Sequence, residues 1–303
     1  MKHLQRIFVF IGIVVLFCHA WAFAQEGPVQ LEYRYTPGQP LHYRYAFSIK
    51  GKQSFPEGND PAIAAAGEQT FASEMSSRVT MEPKTVESDG SGWVDIRYDA
   101  LEVKQKWNEE EWQDGTEALK ALVGQAVSLH LQKDGKLLEA AMPSGEAAGS
   151  ELVNQFQQMY GQAEGIFPDK PVQVGESWAK QLQLPMAGMA QPAQVNFQNT
   201  LESFEMVNHR KCAKIKSVLT FDIPETKVTQ EEAGDNIGLS MNVKGEGAMT
   251  QYFDISGGVL VKGEGKTTMN SKQTMTVPVG PAGTPQTVVS LSVMEMDFKT
   301  ELE

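Results

Sequence analysis

The sequence contains little cysteine, little histidine and fewer basic than acidic residues, and each shortage excludes a class of protein. Only two of its 303 residues are cysteine, which excludes a disulfide scaffold and a metal site built from several thiolates. The five histidines are scattered, with no His-x-x-x-His pair. Lys and Arg number 26 against 38 Asp and Glu, and a net charge of −12 has the wrong sign for a nucleic-acid partner. We therefore predict no metal, no cofactor and no nucleic-acid partner.

Enzyme motifs are also missing. The sequence has no Gly-x-Ser-x-Gly elbow and no glycine-rich loop that precedes a helix. A pair of catalytic carboxylates leaves no local signature, because its members lie far apart in sequence. A hydrolase with dispersed carboxylates therefore remains one alternative function.

Long apolar runs are confined to the N-terminus. Lys2 and Arg6 precede the apolar run of residues 7–18, and Ala22-Phe-Ala24 is a small-x-small cleavage pattern. This pattern predicts a signal peptide over residues 1–24, a secreted or periplasmic protein, and no membrane span after cleavage. Cleavage removes two basic residues and no acidic ones, which changes the net charge to −14. Cys212 is then the only cysteine, and we expect a small buried thiol.

Most of the remaining chain alternates apolar and polar residues with period two, which is typical of strands with one buried face. Residues 31–35 and 41–49 flank the turn Thr36-Pro37-Gly38 and are expected to form the two arms of one hairpin. Several predicted strands are longer than the usual five or six residues. The fold class predicted is mainly β: a long, strongly curved antiparallel sheet or half-barrel with one or two short covering helices.

Two segments have helical spacing instead. Asp114 and Glu117 fit a capping box before one apolar stripe, and residues 152–160 carry a second stripe. With the signal peptide over 1–24, these segments suggest an N-terminal β lobe over 25–140, a helical segment over 141–168 and a C-terminal β lobe over 169–303. The alternative is that the two lobes form one continuous domain.

A repeated pentapeptide marks an unusual surface. The sequence Val-Lys-Gly-Glu-Gly occurs at Val243 and again at Val261, on two strands that the turn at residues 254–258 joins. Alternation places four glycines on the face that should be buried: Gly245, Gly247, Gly263 and Gly265. Glycine weakens a strand interior, so the missing side chains need a use. Three uses remain open: a sharp bend of the sheet, a closely packed helix, or a hollow that holds a ligand.

Methionine is concentrated in the same half of the chain. Nine of the 13 methionines after the signal peptide follow residue 180. Methionine fills irregular gaps and adapts to ligands of variable shape. The candidate ligand-binding residues are therefore Gly245, Gly247, Gly263, Gly265, Met241, Met249 and Met269.

The stretch Phe167–Trp178, which contains Val-Gln-Val-Gly-Glu-Ser-Trp, resembles a pattern of exported bacterial β-proteins of uncharacterised families. Tyr33-Arg-Tyr35 and the Phe-Asp-x-x-x-Gly-x-Leu stretch at residues 253–260 fit the same group. The predicted architecture is more distantly similar to the half-barrels of lipoprotein-carrier (LolA-like) proteins, which cradle acyl chains, and this similarity carries no residues over. Neither resemblance implies a catalytic position. We expect Gly175 to form a turn and Trp178 to anchor the next strand.

The sequence therefore favours an exported, non-enzymatic protein that holds an apolar, lipid-like small molecule or an envelope protein on a concave sheet. A structural or interaction module with a filled core and no ligand is an alternative, as is the hydrolase.

Overall fold

The computed structural model describes residues 27–56, 67–141, 165–184, 193–232, 235–279 and 284–303. The predicted signal peptide and the helical stripe at residues 152–160 lie outside these residues. The described part of the chain is mainly β: 72% of its residues lie in strands, which form one large antiparallel sheet that is not closed. This part of the predicted fold class is confirmed.

The sheet contains twelve strands. In chain order they are β1 (Leu41–Ser54), β2 (Gln69–Val86), β3 (Gly92–Trp107), β4 (Gln113–Asp114), β5 (Ala126–Leu131), β6 (Leu137–Ala141), β7 (Ser177–Leu184), β8 (Ala193–Val207), β9 (Arg210–Glu232), β10 (Asp235–Asp254), β11 (Val259–Val279) and β12 (Thr284–Leu302). Their order across the sheet is β6-β5-β3-β2-β1-β12-β11-β10-β9-β8-β7, and the short β4 pairs with β3 outside this path. Because β1 pairs with β12, a single sheet runs through both halves of the chain.

The sheet curls until its two terminal strands approach each other. Each pair of neighbouring strands adds a twist of roughly 20°, which accumulates over many strands. The β5–β6 turn lies at one end of the strand order, but the Asp134 carbonyl oxygen accepts hydrogen bonds from Ile166 N (2.9 Å) and Phe167 N (3.4 Å). The Trp178 indole N–H on β7, at the opposite end, donates to the Ile166 carbonyl oxygen at 3.0 Å. Residues 165–172 therefore connect the two ends.

A second segment, residues 27–36, crosses the sheet beside the first. Val29 and Val172 exchange two backbone hydrogen bonds of 2.9 Å. Tyr33 N donates to the Lys133 carbonyl oxygen, and Arg34 N donates to the Gly258 carbonyl oxygen. The predicted hairpin of residues 31–35 with 41–49 is therefore wrong, because the backbone of the first arm bonds to distant turns instead of to β1. The turn between the arms is present, and Gly38 has a φ of 76°.

The main core lies where these two segments pack on β8, β9 and β10. We call the sheet face that they cover the inner face. The buried residues of the main core are Leu31, Phe167, Val172, Leu201, Ala213, Ile215 and Phe253. The rings of Phe167 and Phe253 are 4.5 Å apart, and Tyr33 packs against both rings. Cys212 beside this core is fully buried, which confirms the expected buried thiol.

The covering helices are not confirmed. Residues Thr116–Leu122 form a seven-residue 3₁₀ helix instead of an α-helix. Asp114 belongs to β4, and its carboxylate accepts the Thr116 N–H in a local turn. The N-cap residue of the helix is Gly115, which has no side chain that could cap it. The capping-box prediction failed because the strand pairing of Asp114 displaced the cap position.

Asp254 organises the turn between β10 and β11. Its side chain is 2% exposed, and one carboxylate oxygen accepts the N–H groups of Ser256 and Gly257 at 2.9 Å. The other oxygen accepts Arg210 Nη1 at 2.8 Å. Burial favours the neutral acid, but the hydrogen bonds from Gly257, Arg210 and Ser256 outweigh it and lower the pKa of Asp254. The turn therefore holds a buried, ionised and fully bonded carboxylate.

We expect Asp254→Asn to lower the free energy of unfolding at pH 7 by about 2 kcal/mol, because the charge-assisted hydrogen bonds weaken. The lowered pKa means that this stabilisation is fully present above the ordinary aspartate pKa and is lost as the pH falls through the folded-state value. Urea unfolding at pH 7 and pH 3 checks both statements. The exposed Asp222, changed to Asn, is the control; an equal effect of both variants would contradict the assigned role.

Candidate functional site

An apolar cavity lies between the two ends of the sheet, and we call it the seam cavity. Its volume is about 160 Å³. It is bordered by the β5–β6 hairpin at one end of the strand order and by β7 and β8 at the other. The lining residues are Gly135, Leu137, Ile166, Phe167, Trp178, Lys180, Gln181, Leu182, Phe197, Asn199, Ile215, Met249 and Gln251. A cavity of roughly 150 Å³ with apolar walls is large enough for a benzene-sized group.

A second cavity of about 170 Å³ lies on the other side of the 27–36 segment. Four tyrosines line it, at positions 33, 35, 43 and 45, and we call it the tyrosine cavity. The Tyr43 hydroxyl donates to the Leu260 carbonyl oxygen at 2.9 Å, and the Tyr35 hydroxyl donates to the Gln132 carbonyl oxygen at 3.1 Å. Burial raises the pKa of both phenols, which therefore stay neutral. Gly135 lines both cavities.

The structure places all seven candidate residues on one face of β10 and β11. Gly245 lies opposite Met269, Gly247 opposite Thr267, Gly263 opposite Gln251, and Gly265 opposite Met249. Met241 and Met269 pack with Phe221 against buried Val243 and Ile223. Met249 and Gln251 line the seam cavity. This face is therefore the inner face, and the four glycines form a stripe across it.

Aromatic rings cover two of the four glycines of the stripe, Gly245 and Gly265, a use outside the three that the sequence left open. Gly245 lies opposite Phe221 on β9, and a Cβ atom there would collide with the Phe221 ring. Gly265 lies opposite Phe298 on β12, and a Cβ atom there would collide with the Phe298 ring. Gly51 on β1 has the same relation to Phe71 on β2. Glycine at these positions lets a phenyl ring from the neighbouring strand lie flat on the sheet.

Large apolar side chains continue along the inner face beyond the two cavities. On β1 and β12, Phe47 lies opposite Phe298 and Ile49 opposite Met296. Met75 on β2 lies beside Phe47. These side chains are only partly buried. In the part of the chain that the structure describes, no second layer packs over this region as residues 27–36 and 165–172 do over the main core.

The seam cavity also holds a few polar side chains. Asn199 Oδ1 accepts a hydrogen bond from Ser217 Oγ at 2.6 Å, so this buried pair is satisfied. Among the described residues that line the cavity, Lys180 is the only charged one. It lies opposite Phe197, and its side chain is 14% exposed. The walls are therefore apolar apart from two amides, a paired asparagine and one cation.

The sequence prediction missed the seam cavity. The β5–β6 hairpin and β7 lie far apart in sequence, and only the curl of the sheet brings them together. One local signal was present: Trp178, Lys180 and Leu182 share a face by alternation, and a lysine between two large apolar residues is unusual on a buried face.

The motif residues that carried the family resemblance have structural roles. Gly175 forms a turn with a φ of 89°, and the Gln173 N–H donates to the Glu176 carboxylate at 2.7 Å. Trp178 is the second residue of β7 and its indole N–H donates to the Ile166 carbonyl oxygen, so the predicted turn and anchor are confirmed. Gly258 has a φ of 64° and lies against Arg34.

Within the described ranges, no group of three or more His, Cys, Asp and Glu side chains is arranged to hold a metal ion. The same residues contain no helix of the length and hydropathy needed to cross a membrane.

Comparison with known proteins gives one family match. A model described as a family of unknown function (DUF6263) matches residues 153–260, which include the Val-Gly-Glu-Ser-Trp motif and the turn at Asp254. No curated protein matches the sequence.

Solved structures show only weak likeness. The structure titled "Lipid-protein interactions in lipovitellin" has 12% identity and a TM-score of 0.49 over 89% of this chain, which spans about a quarter (25%) of the length of that chain. Pseudomonas aeruginosa OpdQ has 6% identity and a TM-score of 0.23, with 87% of this chain and 99% of that chain covered. An outer membrane channel of Pseudomonas putida F1 has 6% identity and a TM-score of 0.16, with 87% and 97% covered. Likeness at this level transfers no function.

We expect Gly245→Ala to destabilise the protein by about 1–3 kcal/mol, because the new methyl group must displace the Phe221 ring. The cost should shrink in a Phe221→Leu background, where the smaller side chain can move away. Chemical denaturation of the two single variants and the double variant measures this coupling. Gly27→Ala is the control, since a Cβ atom there meets nothing within 4 Å. Equal costs with and without Phe221 would contradict the ring-over-glycine arrangement.

Proposed function

We propose that this chain is an exported binding protein that holds an apolar, lipid-like ligand on the inner face of its sheet. The observation that carries the proposal is the seam cavity, an apolar space that forms only because the two ends of the sheet approach each other. A cleft with apolar walls and few polar groups is the usual form of a small-molecule site.

The partly buried face beyond the cavities supports the same function. A sheet normally buries its apolar face against a second layer. Here the described residues supply such a layer only over the main core. Phe47, Met75 and Phe298 lie outside that covered region and keep part of their surface in contact with water. A hydrocarbon ligand on these side chains would remove apolar surface from water, at roughly 25 cal/mol per Å².

The methionines give the proposed surface its tolerance of ligand shape. Met241 and Met269 lie beside the glycine stripe, and Met249 lies on the cavity wall. Thioether side chains are unbranched and repack easily around different hydrocarbons. The phenyl rings over Gly245 and Gly265 lie flat on the sheet, so the middle of the inner face is apolar and has no projecting side chains at these positions.

The proposed export rests on the predicted signal peptide. A filled-core interaction module and a hydrolase are the alternatives. No arrangement among the described residues favours the hydrolase.

Binding of 1-N-phenylnaphthylamine, a neutral probe that fluoresces on leaving water, tests the proposal. We expect a saturable rise in fluorescence with the mature protein and competition by decan-1-ol. Met249→Glu should weaken probe binding at least about tenfold, because it places a charged carboxylate in the apolar cavity wall that the neutral probe contacts.

Ala248→Glu is the matched control. It adds the same charge one residue away, on the exposed outer face opposite Lys266, and should leave the affinity for the probe unchanged. Circular dichroism establishes that both variants fold. A folded wild-type protein that gives no saturable signal would eliminate the apolar site and leave the interaction module.

A further inference from the structure

The ligand that the seam cavity accepts carries, we propose, an anionic headgroup on its hydrocarbon chain, and Lys180 pairs with that headgroup. This inference rests on the proposed function and names the chemical class of its ligand. It starts from the position of one cation in a space that is otherwise apolar.

Lys180 is placed on the inner face by the register of β7. It lies opposite Phe197, with Trp178 and Leu182 two residues away on either side of it along the strand. All four side chains line the seam cavity. A lysine at such a position covers apolar surface with its methylene groups, but its ammonium group needs water or an anion. With 14% of the side chain exposed, the water available to it is limited.

The charge partner that the protein provides is weak. Within the described ranges, the carboxylate oxygen nearest to the Lys180 ammonium is Asp169 Oδ1, at 3.7 Å, and the Asp169 side chain is 85% exposed. A long contact with an exposed, solvated carboxylate contributes little to stability. None of the cavity-lining residues is acidic. The ammonium group therefore has an open position for a second, better-placed anion.

The net negative charge of the protein helps to interpret the position of Lys180. The chain has a net charge of −12, so its average field repels anions. A cation that merely kept the protein soluble would lie on the outer face, as the exposed Lys216 and Lys244 do. Lys180 instead lies on the wall of an apolar cavity, where a charge-assisted hydrogen bond to a carboxylate or phosphate is strongest.

The side-chain amide of Gln251 adds a second polar group. Gln251 lies opposite Ile215 on β9 and lines the same cavity. No described residue hydrogen-bonds to its side chain. The amide N–H groups can donate to a headgroup oxygen, so an anion in the cavity has more than one donor available.

Competition against 1-N-phenylnaphthylamine with three ten-carbon probes tests the inference. Decanoate and decyl phosphate carry the two kinds of anionic headgroup, and decan-1-ol carries none. For the wild-type protein we expect at least one anion to bind about tenfold more tightly than decan-1-ol. Lys180→Met should remove that preference, change the affinity for decan-1-ol by less than about twofold, and leave the neutral probe bound. Whichever anion shows the larger preference identifies the headgroup.

Lys216→Met removes the same charge from the outer face of β9 and should preserve the preference, and Lys180→Arg should retain most of it. Equal affinities of the three probes for the wild type, or a preference that survives in Lys180→Met, would overturn the headgroup assignment while the proposed function stands. Failure of all three probes to compete would refute the proposed function itself.

A second variant keeps the inference testable if Lys180→Met does not fold. Asp169→Asn removes the competing carboxylate at an exposed position. We expect anion affinity to rise about twofold with no change for decan-1-ol. Absence of that rise would overturn the pairing.

Discussion

The structure depends on one constraint: the two ends of a long sheet are held near each other by hydrogen bonds to crossing segments. The Asp134 carbonyl oxygen accepts from residues 166 and 167, and the Trp178 indole donates to Ile166. Without these bonds, the β5–β6 hairpin would lie a whole sheet away from β7. Both cavities, the main core and the surroundings of Lys180 exist only because the curl is fixed in this way.

The crossing segments also decide which parts of the inner face are filled. Near them, Phe167 and Leu31 complete a core with almost no exposed surface. Farther along the strands, apolar side chains from β1, β2 and β12 lie beside one another and remain partly exposed. The inner face therefore changes from a packed core on β8, β9 and β10 to a partly exposed apolar surface on β1, β2 and β12. The seam cavity lies on the core side, between the β5–β6 hairpin and β7–β10.

Alternation in the sequence predicted the class of the fold, the turn at residues 254–258 and the common face of the four glycines, since these are local properties of a strand. It did not predict that β1 pairs with β12, nor that residues 31–35 leave their neighbour and cross to Gly258. Such pairings join residues more than 200 positions apart. The rings over Gly245 and Gly265 were missed for the same reason, because they depend on the register between strands. Alternation places Lys180 on the apolar face of its strand, which is unusual for a lysine, but only the structure shows that this face lines a cavity.

The crossing of residues 27–36 has a consequence for the order of folding. Leu31 is buried against Ile215 and Phe253, which are encoded some 200 residues later. Contacts between residues so distant in sequence form slowly, because the loop must close before they contribute. A nascent chain can therefore not complete this interior from its N-terminal half. Maturation waits for the synthesis of β12, the last partner of β1.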